Sequence, residues 1–220
     1  MRFTRDEIRS AMLLYAVTDR MWLKEGETLP QVVGSVLENG ATFLQIREKD
    51  LAPAAFEAEA EQLKALCACH HVPFVVNDSV EIALACGADG VHVGQSDIHG
   101  RDIRAIIGPD KILGISAGTV AEAVAAEKAG ADYIGVGAVF GTSTKKDARS
   151  MTVERLREIA ASVTIPVVAI GGIGAGNILQ LKGSGVDGAA VVSAIFGAAD
   201  PGQATARLLA LSREMVGRCG

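Results

Sequence analysis

The chain has 220 residues, a length that fits one domain, and 49% of them are hydrophobic, which is enough for a large core. Its formal net charge is -5 and it has no basic tail or stripe, which argues against nucleic acid as the main partner. An anionic small molecule is still compatible with this charge, because a local basic pocket can lie on an acidic protein. We therefore expect small-molecule partners.

The opening residues and the cysteines predict a cytoplasmic location. The first ten residues are polar and helix-like and lack the pattern of a signal peptide, and no apolar stretch reaches the length of a membrane span. The four cysteines match no zinc or redox spacing: Cys67, Cys69, Cys86 and Cys219. We expect reduced thiols, no metal on cysteine and no membrane partner.

Eight apolar, β-branched runs along the chain predict strands, each ending in small or polar residues. In chain order they are Leu13–Thr18, Thr42–Ile46, Phe74–Val76, Gly90–Val93, Ile112–Ile115, Tyr133–Val136 with a continuation towards Phe140, Val167–Ile170 and Gly188–Val192. A Gly-Ala-Asp or Gly-Val-Asp triplet precedes three of these strands, beginning at Gly87, Gly130 and Gly185. The triplets mark helix-to-strand turns.

Helical stretches lie between the strands. They are predicted at Leu29–Glu38, Pro53–Cys69, Val80–Cys86, Arg101–Ile107, from Thr119 to Ala129, Val153–Ser162, Asn177–Lys182 and Gly202–Met215. Thr119 and Glu122 have the spacing of a capping box. Alternating strands and helices give a parallel sheet, and eight such units predict an α/β fold in the form of a single (β/α)8 TIM barrel over residues 1–220. The active site of such a barrel lies at the carboxyl ends of its strands.

A basic cluster follows the second predicted strand. Gln45, Arg47 and Lys49 alternate along the chain, so their side chains point to the same side. Two cations and an amide at the mouth of a barrel suit a phosphate or diphosphate. The alternative is a strand end closed by salt bridges with Glu48 and Asp50.

Two carboxylates follow the third and fourth predicted strands. Asp78 and Asp97, with Asn77 and Gln95 nearby, offer hard oxygen ligands suited to Mg²⁺ shared with substrate phosphates. Two other roles are open: Asp78 could cap the helix that follows it, or the pair could act as general acid and base. Capping and metal binding are compatible with each other.

Two further segments suit a phosphate group. Gly141–Lys146 combines hydroxyls, a glycine and lysine in a polar loop, although a solvated surface loop has the same composition. Gly171-Gly172 and Val192-Ser193 end the last two predicted strands, where barrels frequently bind phosphate, although the glycines could serve tight turns only. Asn177 occupies the last glycine position of a dinucleotide fingerprint, so that interpretation is disfavoured. None of the four histidines is assigned a catalytic role, and His92 is predicted to pack inside the barrel.

Taken together, these motifs closely resemble the thiamine-phosphate synthase (thiamine-phosphate pyrophosphorylase) family. The resemblance runs from Tyr15 to Ile195 and rests on the order of the segments YAVTD, QIREKD, VND, HVGQSD, GISAGT, GTSTKKDA, IGGI and VVSAI. The family joins 4-amino-2-methyl-5-hydroxymethylpyrimidine diphosphate to 4-methyl-5-(2-phosphoethyl)thiazole, or its carboxylated form, and releases pyrophosphate. The resemblance implies that the pyrimidine diphosphate is bound by Gln45, Ile46, Arg47, Glu48, Lys49, Asn77, Ser116 and Lys145. It implies that Asp78 and Asp97 hold Mg²⁺, and that the thiazole phosphate is bound by Thr142, Ser143, Thr144, Gly172, Val192 and Ser193.

The family mechanism is dissociative: the pyrimidine ionises to a carbocation, which the thiazole nitrogen then traps. That nitrogen carries no proton, so no general base is needed and none is evident in the sequence. The catalytic work falls to groups that stabilise the departing diphosphate, namely Arg47, Lys49, Ser116 and Lys145, together with Mg²⁺. Residues Gly141–Ser150 are expected to act as a lid.

Three other functions fit these residues less well. Related thiazole tautomerases carry a histidine after the sixth strand, and this chain has Ala138 there, within Gly137–Phe140. A catalytically silent ligand-binding paralogue should have lost diphosphate or metal groups, and all are retained. A phosphate-sugar epimerase, suggested by fold alone, would need a base pair that is missing. A homo-oligomer is left open by the sequence.

Overall fold

The computed structural model describes residues 3–98, 101–141 and 151–217. Its strands are all parallel and close into one barrel in the order of the chain, β1 to β8. They are β1 Leu14–Val17, β2 Phe43–Ile46, β3 Phe74–Asn77, β4 Gly90–Val93, β5 Ile112–Ala117, β6 Tyr133–Gly137, β7 Val167–Ile170 and β8 Gly188–Val191. The predicted (β/α)8 barrel is confirmed, and each strand lies where the sequence placed it to within two residues at either end.

Helices cover the outside of the barrel. They are α1 Arg5–Ala11, α2 Leu29–Glu38, α3 Pro53–Cys69, α4 Val80–Ala85, α5 Ile103–Ile107, α6 Val120–Lys128, α7 Val153–Ala161, α8 Ser193–Phe196 and α9 Pro201–Val216. Where a seventh α-helix was predicted, at Asn177–Lys182, the chain forms one 3₁₀ turn over Ile178–Leu181, so that prediction was wrong in helix type. Its four residues are too short a run to establish α-helical bonding. Within the described ranges, no helix combines the length and the apolar character that spanning a membrane requires.

The helix caps show where sequence spacing was sufficient and where it was not. Thr28 and Gln31 form a complete capping box at the start of α2. At α6 only half of the predicted box forms: Thr119 Oγ1 accepts from the Glu122 N–H, but the Glu122 carboxylate accepts from the Gly118 N–H at 2.6 Å. The carboxylate therefore binds one residue earlier than a capping box requires.

Buried side chains form two layers separated by the barrel wall. Alternate strand residues point inwards and pack as one cluster that includes Tyr15, Phe43, Tyr133 and Val168. The other strand residues point outwards into a larger core beneath the helices. Ile8 and Met12, from α1 and its cap, belong to the inner cluster, so α1 closes the amino-terminal end of the barrel. The opposite end carries the polar strand ends.

The repeated Gly-Ala-Asp triplets have a specific structural role at the amino ends of the strands. In each triplet the aspartate precedes an even-numbered strand and forms two hydrogen bonds with one residue of the strand before it. Its carboxylate accepts the N–H of a residue there, and its own N–H donates to that residue's carbonyl. The pairs bonded in this way are Asp89 with Phe74, Asp132 with Leu113 and Asp187 with Val167.

Thr42 completes this pattern before β2, which the sequence alone did not show. Its Oγ1 accepts from the Leu14 N–H at 2.8 Å, and its N–H donates to the Leu14 carbonyl at 2.9 Å. Gly40, at the start of this fourth triplet, has φ +98°, and the glycines that begin the other three also have positive φ. Glycine adopts a positive φ at the lowest energetic cost, and all four turns begin with a glycine in this conformation.

We expect Asp187→Ala to lower the free energy of unfolding by about 1–3 kcal/mol, because the buried Val167 N–H loses its acceptor. Asp187→Asn should cost less, since an amide oxygen can still accept that N–H. It should still lose the ion pair with Arg9, whose N–O distance is 2.6 Å. Urea denaturation of the two variants checks this order. Equal losses of unfolding free energy in the two variants would show that the ion pair with Arg9, and not the hydrogen bond from the Val167 N–H, stabilises the turn.

Candidate active site

The predicted site residues within the described ranges lie at one edge of the barrel. Gln45, Asn77 and Ser116 occupy strands β2, β3 and β5, on the inward-facing alternation. Asp78 and Gly172 lie just beyond the ends of β3 and β7. All of these positions are at the carboxyl end of the strands, where (β/α)8 barrels place their chemistry.

Gln45 is almost fully enclosed. Its side chain is 4% exposed, and its Nε2 donates to the Tyr15 hydroxyl at 2.7 Å. Ser116 is half-buried on the opposite side, with its Oγ 3.0 Å from His92 Nε2. The Ser116 carbonyl also accepts from the Gln95 side chain at 2.6 Å, which ties the loop after β4 to β5. The pocket floor is therefore polar and held by hydrogen bonds between strands.

The basic cluster after β2 lacks the salt bridges to Glu48 and Asp50 that were the alternative interpretation, among the ion pairs of the described residues. Arg47 faces Asp19 at an N–O distance of 3.9 Å, which is at the limit of an ion pair. None of the ion pairs among the described residues involves Lys49, and this residue is exposed. Asp19, Arg47 and Lys49 line one cleft together with neighbouring residues. The cleft is lined by three cations and three carboxylates, and Arg47 and Lys49 are the two cations that have no ion pair shorter than 3.9 Å among the described residues. These two side chains are the groups that an anionic ligand could pair with.

Glu48 is engaged elsewhere, which the sequence did not predict. Its carboxylate accepts from Arg20 Nε at 2.9 Å, and Arg20 also donates to Glu59 at 2.6 Å. Burial raises the pKa of Glu48, and the Arg20 contact opposes that rise. Glu48 is thus a buried partner of Arg20. Glu48 lines the cleft with its carboxylate bonded to Arg20, whereas the Ile46 side chain is fully buried in the outer core.

Asp78 is held in an uncommon backbone conformation. Its φ is +61°, in the left-handed region, where aspartate is tolerated better than most residues. Its N–H donates to the His92 carbonyl at 2.8 Å, which fixes it against the end of β4. Ser79, and not Asp78, caps α4, so the capping alternative for Asp78 was wrong. Such strain of about 1–2 kcal/mol is typical of positions kept for function.

Asp97 follows β4, and a hydrogen bond within the same turn holds its carboxylate. Its Oδ2 accepts from the Gly94 N–H at 2.8 Å. A Cβ on Gly94 would lie only 2.9 Å from that oxygen, so glycine gives the carboxylate room. Asp78 and Asp97 therefore follow the adjacent strands β3 and β4, and the closeness of their carboxylates stays a prediction.

These two carboxylates suit a magnesium ion bound jointly with phosphate. Mg²⁺ prefers oxygen ligands and commonly takes one or two carboxylates plus substrate phosphates, in contrast to a full protein cage. Among the described residues no group of three or more His, Cys, Asp or Glu side chains is placed to hold a metal. Two carboxylates on the strand ends next to Arg47 and Lys49 fit the kind of site that a metal shares with a bound phosphate.

The ends of β6 and β7 are in close backbone contact. The Val139 and Phe140 N–H groups donate to the Ile170 and Gly171 carbonyls, each at 3.1 Å, so the predicted continuation of the strand towards Phe140 keeps its pairing. Gly172 has φ +66°, and a Cβ there would lie 2.0 Å from the Gly141 carbonyl oxygen. Four predicted site residues come directly after Gly141 and lie outside the described residues: Thr142, Ser143, Thr144 and Lys145.

Met151 resumes the described chain at the same place. Its N–H donates to the Ala138 carbonyl at 2.8 Å. Gly141 and Met151, the described residues on either side of 142–150, therefore both lie at the mouth of the barrel. Val192 and Ser193 follow β8 next to them, with Ser193 exposed at the start of α8.

Sequence reasoning missed a series of polar side-chain contacts inside the barrel. His92 was predicted to pack there, which is confirmed, but its link through Tyr133 and Tyr15 to Gln45 was not foreseen. The alternation of side chains along a strand offered a signal. Tyr15, Tyr133 and His92 occupy inward-facing positions of their strands, as Gln45 and Ser116 do. The pairing of particular side chains depends on strand register, which the sequence did not supply.

A (β/α)8 barrel with two cations, a carboxylate pair and close-packed glycines at the carboxyl ends of its strands is typical of enzymes that act on phosphorylated small molecules. The model of the family described as thiamine monophosphate synthase matches residues 14–195. The thiamine-phosphate synthase of Ruminiclostridium cellulolyticum is 50% identical over 196 residues, covering 89% of this chain and 93% of that protein. The thiamine-phosphate synthase of Clostridium tetani is 45% identical over 201 residues, covering 91% and 96%.

A solved structure agrees with these relatives. The thiamine phosphate pyrophosphorylase of Pyrococcus furiosus superposes with a TM-score of 0.87 at 40% identity, covering 96% of this chain and all of that chain. The chain belongs to the thiamine monophosphate synthase family, and it is a transferase of thiamine biosynthesis.

Proposed function

We propose that this chain joins 4-amino-2-methyl-5-hydroxymethylpyrimidine diphosphate to 4-methyl-5-(2-phosphoethyl)thiazole, giving thiamine phosphate and pyrophosphate in the cytoplasm. The observation that supports the proposal is that Arg47 and Lys49, Asp78 and Asp97 follow the consecutive strands β2, β3 and β4 of the barrel. A diphosphate needs cations and shared metal ligands within the reach of one group, and these three strand ends supply both.

The diphosphate is assigned to Arg47 and Lys49, with Gln45, Asn77 and Ser116 beneath it. Arg47 offers a planar fork and Lys49 a mobile point charge. The weak contact of Arg47 with Asp19 leaves its guanidinium able to turn to a phosphate. As the carbon–oxygen bond breaks, negative charge grows on the departing diphosphate, and these cations stabilise it. Lys145 is assigned the same role from its sequence motif.

Mg²⁺ is assigned to Asp78 and Asp97. When bound, it supplies charge neutralisation to the diphosphate. Asp97 keeps one oxygen on the Gly94 N–H, which leaves its other oxygen for the ion. Asp78 is exposed and held close to β4 by its backbone, so it can meet the same ion.

The thiazole phosphate is assigned to Gly172, Val192 and Ser193, with Thr142, Ser143 and Thr144. The absence of a side chain at Gly172 lets the backbone of Gly141 approach it closely, which brings the start of the hydroxyl-rich segment to the end of β7. The thiazole nitrogen attacks without losing a proton. The enzyme therefore has to position two substrates and exclude water, and needs no general base.

We expect Gly172→Ala to raise the KM for the thiazole phosphate about tenfold or more. The added methyl is forced into a left-handed φ, at about 1–2 kcal/mol, and against a backbone oxygen that cannot rotate away. Gly176→Ala is the matched control, because its Cβ meets nothing within 4 Å and its φ is ordinary. Steady-state kinetics with each substrate varied in turn measures the effect. A similar KM rise in both variants would argue against a specific role for Gly172.

The tautomerase alternative is weakened by the residue after β6. Ala138 is 4% exposed and its methyl group cannot transfer a proton, whereas the tautomerase relatives carry a histidine at the corresponding position of their motif. No observation favours that function over the transfer reaction.

The test is a direct assay. The protein is incubated with both substrates and Mg²⁺, and thiamine phosphate and pyrophosphate are measured, in parallel reactions with the carboxylated and the decarboxylated thiazole. Equal molar formation of the two products is expected. Release of pyrophosphate without thiamine phosphate, or no turnover of either thiazole, would overturn the proposal.

A further inference from the structure

Five side chains inside the barrel form one continuous series of hydrogen bonds, which we call the interior chain: Gln45, Tyr15, Tyr133, His92 and Ser116. The Gln45 amide nitrogen lies 2.7 Å from the Tyr15 oxygen, which lies 2.8 Å from the Tyr133 oxygen. The Tyr133 oxygen lies 2.9 Å from His92 Nδ1, and His92 Nε2 lies 3.0 Å from Ser116 Oγ. The interior chain therefore links two residues assigned to the substrate, which lie on different strands.

The middle of the interior chain depends on a missing side chain. His92 on β4 and Tyr133 on β6 are both register partners of Gly114, on the strand between them. A Cβ on Gly114 would lie 2.3 Å from the Tyr133 oxygen and 2.5 Å from His92 Nδ1. Glycine at this position allows two side chains on non-adjacent strands to bond across the strand that separates them.

The hydrogen bonds of the interior chain have a direction. A phenol has one proton to donate, and burial raises the pKa of Tyr15 and Tyr133, so both stay protonated. The Gln45 nitrogen donates to Tyr15 and cannot accept, so the Tyr15 proton goes to Tyr133. The Tyr133 proton then goes to His92 Nδ1, which must be unprotonated. A neutral His92 carries its proton on Nε2 and donates it to Ser116.

We propose that the interior chain fixes His92 as the neutral, Nε2-protonated tautomer and thereby presents the Ser116 hydroxyl to the substrate as a hydrogen-bond donor. This inference rests on the proposed function, in which Ser116 contacts the pyrimidine diphosphate. Tyr15, Tyr133 and His92 are positioning residues, because they act through Ser116 and Gln45. Ser116 accepts from the histidine, so its own proton is directed to another acceptor.

A neutral histidine also suits the proposed reaction. Ionisation of the pyrimidine diphosphate leaves positive charge on the pyrimidine, above the polar floor of the barrel. An imidazolium there would repel that charge at short range in a poorly solvated interior. Two phenols and a neutral imidazole provide dipoles and no net charge, so they support the ring without opposing its ionisation.

The tautomer can be measured without turnover. The protein is labelled with ¹⁵N-histidine, and the ring nitrogens of His92 are identified by their loss in His92→Gln. Two-bond proton–nitrogen correlations then distinguish the protonated nitrogen from the unprotonated one. We expect Nε2 to be protonated and Nδ1 not. A proton on Nδ1, or on both nitrogens, would overturn the inference even if the enzyme is fully active.

A double-mutant cycle tests the link to catalysis. Tyr133→Phe keeps the ring but cannot donate to His92, and we expect kcat/KM for the pyrimidine diphosphate to fall about tenfold. Adding Tyr133→Phe to Ser116→Ala should cause no further loss. Independent, multiplying losses would contradict action through Ser116.

Val168→Ala is the control for the cycle, because Val168 belongs to the same inner cluster and takes no part in the interior chain. It should lower stability while leaving the His92 nitrogen shifts and kcat/KM near the wild-type values. Changes in both would assign the Tyr133→Phe effect to general loosening of the barrel. Absence of thiamine phosphate from the wild-type assay would refute the proposed function, and the tautomer would still be decided by the spectra.

Discussion

Asp97→Ala is expected to lower activity about 100-fold or more at limiting Mg²⁺, which corresponds to a loss of about 3 kcal/mol or more of transition-state stabilisation. The reason is the loss of one of two carboxylates assigned to the ion. The Asp97 side chain also accepts the Gly94 N–H, so the alanine variant loses a turn contact as well as a ligand. Initial rates over a range of Mg²⁺ concentrations measure the effect.

Asp97→Asn separates the two roles. An amide oxygen can still accept the Gly94 N–H, so the turn should persist while the negative charge is lost. We expect a raised half-saturating Mg²⁺ concentration in this variant, with thermal stability near that of the wild type. Activity at limiting Mg²⁺ equal to the wild type would refute the assignment of Asp97 to the metal.

Asp78→Asn is the companion variant for the same test. Asparagine tolerates the left-handed φ of +61° as well as aspartate does, so the backbone should be kept. The Mg²⁺ dependence should shift in the same direction as in Asp97→Asn. If only one of the two variants shifted, the ion would be held by a single carboxylate and the joint assignment would fail.

The fold was predictable because each strand is a short, continuous apolar run bounded by turn residues. A strand of a parallel barrel is buried on both faces, so it lacks polar alternation and stands out from the helices around it. The α8 turn after Val192 was missed, because four residues carry too little periodicity to be recognised. The Thr42 turn was missed for another reason: threonine replaces aspartate in the triplet, and only the geometry shows that Oγ1 accepts the same backbone N–H.

The candidate site was predictable in its positions and less so in its partners. Carboxyl strand ends gather at one face, so chain order alone placed Arg47, Asp78 and Asp97 at the same face of the barrel. The partner of Glu48 was not predictable, because Arg20 and Glu59 come from separate elements. The same holds for Tyr133, whose contacts with Tyr15 and His92 depend on the register of strands that are far apart in sequence.

Lys145→Ala is expected to lower kcat by about 30- to 1000-fold, with a smaller rise in the KM for the thiazole phosphate. Such a change is typical of losing a charged contact that is strongest in the transition state, at roughly 2–4 kcal/mol. The assignment comes from the GTSTKK motif, since Lys145 lies outside the described residues. Both flanks of its segment are attached at the barrel mouth, through Gly141 beside Gly172 and Met151 on Ala138.

Lys146→Ala removes the same charge one residue along and is the matched control for Lys145→Ala. If Lys145 contacts the departing diphosphate, the neighbouring substitution should cost much less, because a general loss of positive charge is screened by salt. An unchanged kcat in Lys145→Ala would limit the segment to the thiazole phosphate. The pH dependence of the rate provides the decisive comparison: the thiazole nitrogen has no proton to lose, so activity should persist at a pH where Lys145 is protonated. A requirement for its deprotonated form would replace ionisation with base catalysis.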